Sequence, residues 1–457
     1  MTSNSHGLKV ALLVIGDLII LGLTLFITLL LRYDIHQDRI LLIQHIIPFS
    51  IIFGTWLVFL GAFELYNVRF LKNSKRFLYR LFKAMVFNTI AAIIIFYLIP
   101  LFEIEPRRNL LAIAFLGTGF LFLWRLLFNL LAGKAPAAKV LFFGITKEVI
   151  ELADYLLKNP QLGYKPLAFM SVNGEEISYS LPLPHFAPHQ DLRPIIQELG
   201  ADSIVISRDI KENKTLVTAL FQVIPIGVAV MEFPGFYAVN TGKIPLSLIG
   251  EVWFLENLAG AKKNFYEFFK RVLDLVLALL VLVPTAVLFP IIAVAVKFDS
   301  EGPVFFRQNR VGKNGKDFEL VKFRSMIKNA ESIDGSKQNG HDLRQTRVGA
   351  FLRKHYLDEL PQIINVIRGE MSFIGPRPER PQYVKELKEK IPFYEMRLLV
   401  LPGLTGWAQI HMENDASVED APEKMQFDLY YIKNRSFLLD LLISLRTIFT
   451  LLQREGR

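Results

Sequence analysis

Residues 357–361, Leu357-Asp358-Glu359-Leu360-Pro361, set two consecutive carboxylates where a helix is predicted to begin. Leu357, Leu360, Ile364 and Ile367 recur at helical spacing and mark one apolar face, and Gly369 follows as a natural C-cap. Pro361 fits only in a first turn, so Asp358 and Glu359 belong at the helix N-terminus. There the macrodipole favours carboxylate over carboxylic acid. Two adjacent acids suit a divalent cation together with a nucleophile. The plainer alternative is an N-cap followed by a first-turn acid.

The surroundings favour phosphate chemistry. Arg344, Arg347, Arg353, Lys354, Arg368, Arg377 and Arg380 crowd the same stretch. Pro376-Arg377-Pro378 is a stiff segment, because proline restricts both itself and its predecessor. A guanidinium fork held rigidly is suited to bidentate phosphate binding. Upstream, a Lys-Asn-Gly turn between alternating strands predicts a hairpin carrying Arg307, Arg310, Lys322 and Arg324. It is either a basic edge facing anionic headgroups or part of a phosphate or lipid-phosphate site. Downstream, Leu401-Pro402-Gly403-Leu404-Thr405-Gly406-Trp407 is rich in turn residues. Its glycines suit close approach of backbone to a ligand, and Trp407 is expected in the core.

These residues need elements to hold them, and the rest of the chain is largely apolar. Just over half of the 457 residues are hydrophobic, which points to a membrane. The absence of cysteine excludes disulfides, thiolate-bound metals and thiol catalysis. A formal charge of +9 suits anionic lipid or phosphorylated substrates; no nucleic-acid motif accompanies it. Apolar runs at 10–31, 46–63, 84–102 and 110–132 are each about long enough to cross a ~30 Å hydrocarbon core. The first lacks a cleavage site and reads as an anchor. Asp17 and Arg125 interrupt two of the runs and are expected near a helix end and snorkelling, respectively. Arg69, Lys72, Lys75, Arg76, Arg80 and Lys83 mark the loop between the second and third runs as cytoplasmic.

Residues 139–260 read as a soluble α/β unit, with strands at 139–144, 202–207 and 227–231 and a helix at 148–157. Only Gly144 remains of a dinucleotide-binding turn, so a Rossmann-like domain without a dinucleotide is expected. A fifth apolar run, 272–296, is basic at both ends and holds Pro284 and Pro290. Both ends therefore belong in the cytoplasm, as a re-entrant helix–break–helix over about 270–297; the alternative is a full span. The C-terminal segment 437–452 reads as either an interfacial or a packed helix.

From 262 to 450 the sequence resembles the monotopic phosphoglycosyl transferases, also called bacterial sugar transferases. The resemblance rests on K-R…D at 270–274, D-S-x-G-P-V-F-F-R-Q at 299–308, K-F-R-S-M at 322–326, L-D-E-L-P-Q at 357–362, M-S-F-I-G-P-R-P at 371–378, P-G-L-T-G-W-A-Q at 402–409 and D-L-Y-Y-I at 428–432. The N-terminal runs, the degenerate α/β unit and E-x-W-F-L-E-N-L at 251–258 are similar to the long form of that family. Two departures stand out: Ile410-His411-Met412-Glu413-Asn414 replaces an N-G-R-like segment, and Pro284 and Pro290 flank the usual proline position near Val287.

The resemblance implies Asp358 as nucleophile, Glu359 as Mg²⁺ ligand, and Arg353 and Arg377 as phosphate contacts. Lys322, Arg324 and Arg307 are further phosphate-binding candidates. The implied substrates are a UDP-sugar and undecaprenyl phosphate, at the start of exopolysaccharide, capsule or O-antigen synthesis. The expected architecture is a membrane protein of α plus α/β class. Residues 1–133 form four transmembrane helices, 134–262 a Rossmann-like (CoA-binding-like) cytoplasmic domain, and 263–457 a catalytic domain anchored by the re-entrant helix. The expected location is the bacterial inner membrane with catalysis on its cytoplasmic face, and the large membrane portion is compatible with a homodimer. The rival reading is a non-catalytic scaffold or regulator of polysaccharide export.

Overall fold

A computed structural model describes residues 3–32, 39–68, 71–98, 106–134, 137–171, 182–187, 192–207, 214–259, 264–328, 330, 337–338, 341–342, 344–412 and 419–453. The expected stretch 99–102, and Arg69, Lys262, Lys263, Glu413 and Asn414, lie outside these residues. The chain divides into two compact units, Met1–Thr241 and Gly242–Arg457.

The first unit begins with four apolar helices: α1 (Ser3–Arg32), α2 (Arg39–Ala62), α3 (Lys75–Leu98) and α4 (Pro106–Lys134). Each contains a stretch long and apolar enough to cross a membrane. Helix α3 starts earlier than expected, so Lys75, Arg76, Arg80 and Lys83 form its first turns rather than a loop. Asp17 and Arg125 are neither at a helix end nor snorkelling. They pair with each other across α1 and α4, fully buried. The Tyr66 hydroxyl donates to Asp17 at 2.7 Å, and Arg125 also donates to the Leu65 carbonyl. An ion within an apolar bundle is tolerated only when its partners lie in the same bundle.

The α/β part follows: β1 (Ala138–Phe143), α5 (Lys147–Lys158), β2 (Tyr164–Met170), β3 (His185–Phe186), α6 (Arg193–Leu199), β4 (Ser203–Ile206), α7 (Lys214–Phe221), β5 (Ala229–Glu232) and α8 (Phe233–Thr241). The five strands form one parallel sheet in the order β3-β2-β1-β4-β5. Strands β1, β4 and β5 lie close to the expected positions; β2 and β3 were not foreseen. Leu141, Phe143, Ile204 and Ile206 fill the core on one sheet face with Ile195, Ile196 and Leu220 of α6 and α7.

The second unit contains α9 (Glu251–Phe254), α10 (Asn264–Asp299), the hairpin β6 (Phe305–Val311) and β7 (Asp317–Phe323), the short pair β8 (Lys337–Gln338) and β9 (His341–Asp342), and α11 (Arg347–Lys354). There follow a 3₁₀ turn (Leu357–Gln362), α12 (Ile363–Arg368), β10 (Ser372–Ile374), α13 (Pro381–Lys390), a second 3₁₀ turn (Tyr394–Leu399), β11 (Gly403–Thr405), α14 (Trp407–His411), α15 (Ala421–Asn434) and α16 (Phe437–Gln453). The hairpin turns through Asn314 and Gly315, both at positive φ, as its Lys-Asn-Gly sequence predicts.

Over residues 275–296 helix α10 carries no charge and is apolar on every side, and its two sides have different surroundings. Ala278, Val281 and Leu282 pack on Phe318, Leu320, Ile363, Val366 and Met371. Further along, Phe289, Ile292 and Val296 pack on Phe305, Phe323 and Leu352. Leu280, Val283, Val287, Ile291, Val294 and Phe298 are exposed along the opposite stripe. The expected interruption is absent: the helix is continuous, with Pro284 and Pro290 inside it. Thr285 donates its hydroxyl to the carbonyls of Val281 and Leu282 at 2.8 and 2.9 Å, a local donor in the turn that Pro284 disturbs.

Helix α16 is packed through Asp440 and Ile443, while Leu438, Leu441 and Ile448 remain exposed. Asp440 accepts from Lys270 and Tyr266 at 2.7 Å each and from Tyr431 at 2.9 Å.

Candidate active site

Asp358 and Glu359 lie in the 3₁₀ turn that leads into α12. Tyr356 enters that turn in the left-handed region at φ 57°, a conformation that a non-glycine residue adopts at a cost of ~1–3 kcal/mol. Gly369 ends α12 at φ 80°, as expected of a C-cap. The buried stripe is shifted from the expected one: Ile363 and Val366 are inside, and Leu357, Leu360, Ile364 and Ile367 only half so.

Asn365 joins this segment to the hairpin. Its amide donates to the Glu319 carbonyl at 2.8 Å and to Glu370 at 2.6 Å, and its Oδ1 accepts from the Val321 N–H at 3.2 Å. A lone amide inside the apolar run Ile363-Ile364-Asn365-Val366-Ile367 is the sequence signal that could have found it. Through Asn365 the acid-bearing turn is tied to β7, which carries Lys322.

The two carboxylates have different environments. Glu359 Oε1 accepts from Lys322 Nζ at 2.6 Å and from Arg377 Nη2 at 3.0 Å. Burial alone would push its pKa up, but Arg377 and Lys322 outweigh burial and hold it well below the usual carboxylate range. Asp358 is 8% exposed and, among the described residues, forms no ion pair. Burial pushes its carboxyl up, with Glu359 adding to the rise and Lys322 and Arg353 opposing it. Burial also lowers the Lys322 ammonium, against the pull of Glu359. Neighbouring groups driven apart in this way are suited to different tasks. Glu359 is a fixed anion, and Asp358 is a desolvated carboxylate within reach of cations.

Arg377 is positioned by its own loop. The segment Pro376-Arg377-Pro378-Glu379 has four consecutive carbonyls, and each accepts a bond from elsewhere. Gly403 N–H reaches Pro376 at 2.9 Å, Arg397 reaches Arg377 at 2.9 Å, Arg310 reaches Pro378 at 3.0 Å and Val311 N–H reaches Glu379 at 2.9 Å. The Glu379 carboxylate accepts from Lys424 at 2.6 Å.

The structure therefore brings together Asp358, Glu359, Lys322 and Arg377, with Arg353 exposed at the end of α11. It does not bring in the other candidates. Arg324 is buried, and its terminal nitrogens donate to the carbonyls of Val296, Ser300 and Pro303, closing the C-terminus of α10. Arg307 is exposed and pairs with Glu319 on the neighbouring strand at 2.9 Å. Arg344 forms a two-pronged pair with Asp342 at 2.8 Å.

The glycine-rich segment also differs from expectation. Its glycines allow close approach of backbone to backbone: a Cβ on Gly403 would lie 2.1 Å from Gly375 N, and one on Gly406 2.3 Å from the Gly375 oxygen. Trp407 is half-buried, stacks on Tyr430 and donates to the Gly242 carbonyl at 3.0 Å.

Among the described residues no group of three or more acids and histidines could by itself hold a metal ion. Mg²⁺ takes one or two carboxylates, retains water and completes its shell with substrate phosphate oxygens. Were it bound, Glu359, whose Oε1 also accepts from Lys322 and Arg377, would hold it with Asp358 beside it.

The family model described as "Bacterial sugar transferase" matches residues 265–454. A UDP-N-acetylgalactosamine-undecaprenyl-phosphate N-acetylgalactosaminephosphotransferase of Aeromonas hydrophila is 46% identical over 191 residues, 42% of this chain and 45% of that protein. The chain thus matches less than half the length of that relative. Two proteins named UDP-glucose:undecaprenyl-phosphate glucose-1-phosphate transferase match more widely. That of Klebsiella pneumoniae is 32% identical over 68% of this chain and 67% of its own length. That of Xanthomonas campestris pv. campestris is 30% identical over 69% and 67%. A match that runs from α10 through α16 and takes in the paired acids, together with relatives aligned over two thirds of their length, makes this chain a member of the bacterial sugar transferase family.

Proposed function

We propose that this protein transfers a sugar-1-phosphate from a UDP-sugar to undecaprenyl phosphate through a phosphosugar intermediate on Asp358. The observation that carries the reading is the buried Asp358 carboxylate beside Glu359, Lys322 and Arg377. In the first step an Asp358 oxygen attacks the sugar-bearing phosphorus. The bond from that phosphorus to the bridging oxygen breaks, and UMP leaves with the electron pair. In the second step an oxygen of undecaprenyl phosphate attacks the same phosphorus. The Asp358 oxygen departs, giving undecaprenyl-diphosphate-sugar and a regenerated carboxylate. Arg377 and Lys322 supply positive charge where the diphosphate gathers negative charge, and Arg353 adds to it from the rim. Mg²⁺, when bound, neutralises charge on the diphosphate.

The lipid substrate calls for a membrane-seated enzyme. The exposed apolar stripe of α10 and the opposite stripe packed on the catalytic core support a helix that seats the core against the bilayer. The basic first turns of α3 support a cytoplasmic side for that end of the helix. Such an enzyme begins a surface polysaccharide.

The test is UMP release by detergent-purified protein with undecaprenyl phosphate, Mg²⁺ and a panel of UDP-sugars. Release from one donor, abolished by chelation, is the expected result. The names of the relatives divide between N-acetylgalactosamine and glucose, so both belong in the panel. No release from folded protein across the panel would favour the scaffold reading. In the same assay Arg307→Ala should keep turnover within about two-fold, as expected of an exposed pair. A loss of ten-fold or more would return Arg307 to the site.

A further inference from the structure

We propose that Arg397 is a positioning residue: braced by Asp428 and Tyr394, its guanidinium holds the backbone of Arg377 and so sets where the Arg377 side chain stands beside Glu359. The inference rests on the reading of Arg377 as a phosphate contact. Prolines on either side make the 376–378 segment stiff, but stiffness does not place it. They also leave Arg377 and Glu379 as the only backbone donors among residues 376–379, so the segment cannot anchor itself by a ladder. It is placed by the four bonds to its carbonyls. Two of those donors are backbone N–H groups of Gly403 and Val311, and two are the side chains of Arg310 and Arg397.

Of the two arginines, Arg397 has the more demanding setting. Its side chain is 4% exposed and that of Asp428 2%. Arg397 Nη2 and Nε reach Asp428 Oδ2 at 2.9 and 3.2 Å, and Nη1 donates to the Tyr394 hydroxyl at 2.6 Å. Nη2 also donates to the Arg377 carbonyl at 2.9 Å. A buried ion pair is a poor way to gain stability, because desolvation offsets most of the attraction and an apolar pair often does as well. Here the pair gives what an apolar pair cannot: an N–H aimed at one carbonyl in a fixed plane. The planar fork permits Asp428, Tyr394 and the Arg377 carbonyl to be served together, whereas a lysine ammonium at the end of a flexible stem does not reproduce that geometry.

The test is a double-mutant comparison on the full chain. Arg397→Lys should lower kcat/KM for the UDP-sugar by on the order of 10²-fold, the scale of a displacement of about 1 Å at a reacting group. In an Arg377→Ala background the same change should cost only about two- to three-fold, because the group it positions is gone. Equal losses in both backgrounds would overturn the inference and leave Arg397 as a general prop. If Arg377→Ala alone left turnover intact, the role given to Arg377 would fail, and with it the purpose of holding it. Thermal unfolding accompanies each variant. Should Arg397→Lys not fold, Tyr394→Phe, which frees one edge of the guanidinium without removing charge, is read in the same two backgrounds. Non-additive losses are again expected and additive ones are decisive against.

Discussion

Replacing Asp358 with asparagine should reduce UMP release by on the order of 10⁴-fold or more, the scale seen when a nucleophile is removed. It should also abolish a phosphosugar–protein adduct that wild-type protein accumulates with UDP-sugar when undecaprenyl phosphate is withheld. Intact mass or a labelled sugar reads the adduct. Asparagine keeps the shape and hydrogen-bonding capacity of the turn but cannot attack phosphorus, so equal release by the variant would mean that another group is the nucleophile. The acid limb of kcat/KM follows from the same residue. The reactive form is the carboxylate, and burial raises its pKa. Activity should therefore fall as pH drops through a range above that of an ordinary aspartate. Lys322→Met removes a cation that opposes the rise, and should move that limb to still higher pH. The stability effect has the opposite sense to the catalytic one. A carboxyl whose folded pKa is raised favours the folded state most when protonated, and that contribution is lost as pH rises through the folded value. The neutral asparagine should thus raise the unfolding midpoint near pH 7 while it stops turnover.

Gly403→Ala should destabilise the second unit by about 3 kcal/mol, the upper part of the usual range for overpacking. The added Cβ would meet Gly375 N at 2.1 Å, Thr405 O at 2.6 Å and Gly375 O at 2.7 Å. All three are backbone atoms, and they belong to the pairing itself: Gly375 N–H donates to Thr405 and Gly403 N–H to Pro376, each at 2.9 Å. No flexible side chain can yield. Whatever structure survives must move residues 375–379 and with them Arg377, so turnover should fall further than stability alone accounts for. A variant with wild-type midpoint and turnover would show that β10 and β11 are not so close in solution.

Helix α12 itself starts only at Ile363, after the 3₁₀ turn that holds both acids, whereas the acid pair and the Gly369 cap were legible because each depends on a few consecutive residues. So was Arg377, whose flanking prolines announce a stiffened arginine. The hairpin was legible as a hairpin but not in its chemistry. Its register sets Arg307 opposite Val321 and Lys322 opposite Phe306, so Arg307 and Lys322 lie on different faces. Parity could have separated them once the register was known, but a charge count could not. Arg324 lies just beyond β7, and its partners are carbonyls, which every residue possesses and no sequence marks. Asp17 and Arg125 stand 108 residues apart, and Arg397 and Asp428 31 apart. Such pairs form when helices pack, and one sequence holds no record of which faces will meet. The third apolar helix was misplaced because its first turns are basic, and hydropathy alone discards them.

Helix α10 has a consequence for anyone wishing to work with this catalytic unit free of lipid. Its inner stripe supplies Ala278, Ile292 and Val296 to the two clusters that support the acid-bearing turn and the hairpin. Arg271 caps α12 through the carbonyls of Val366 and Ile367. Asp274 accepts from the N–H of Phe373. Removing everything up to residue 299 would take away the anchor and part of the hydrophobic support of the site at once. A water-soluble version would instead keep the helix and exchange Leu280, Val283, Val287, Ile291 and Val294 for polar residues, leaving the packed stripe untouched.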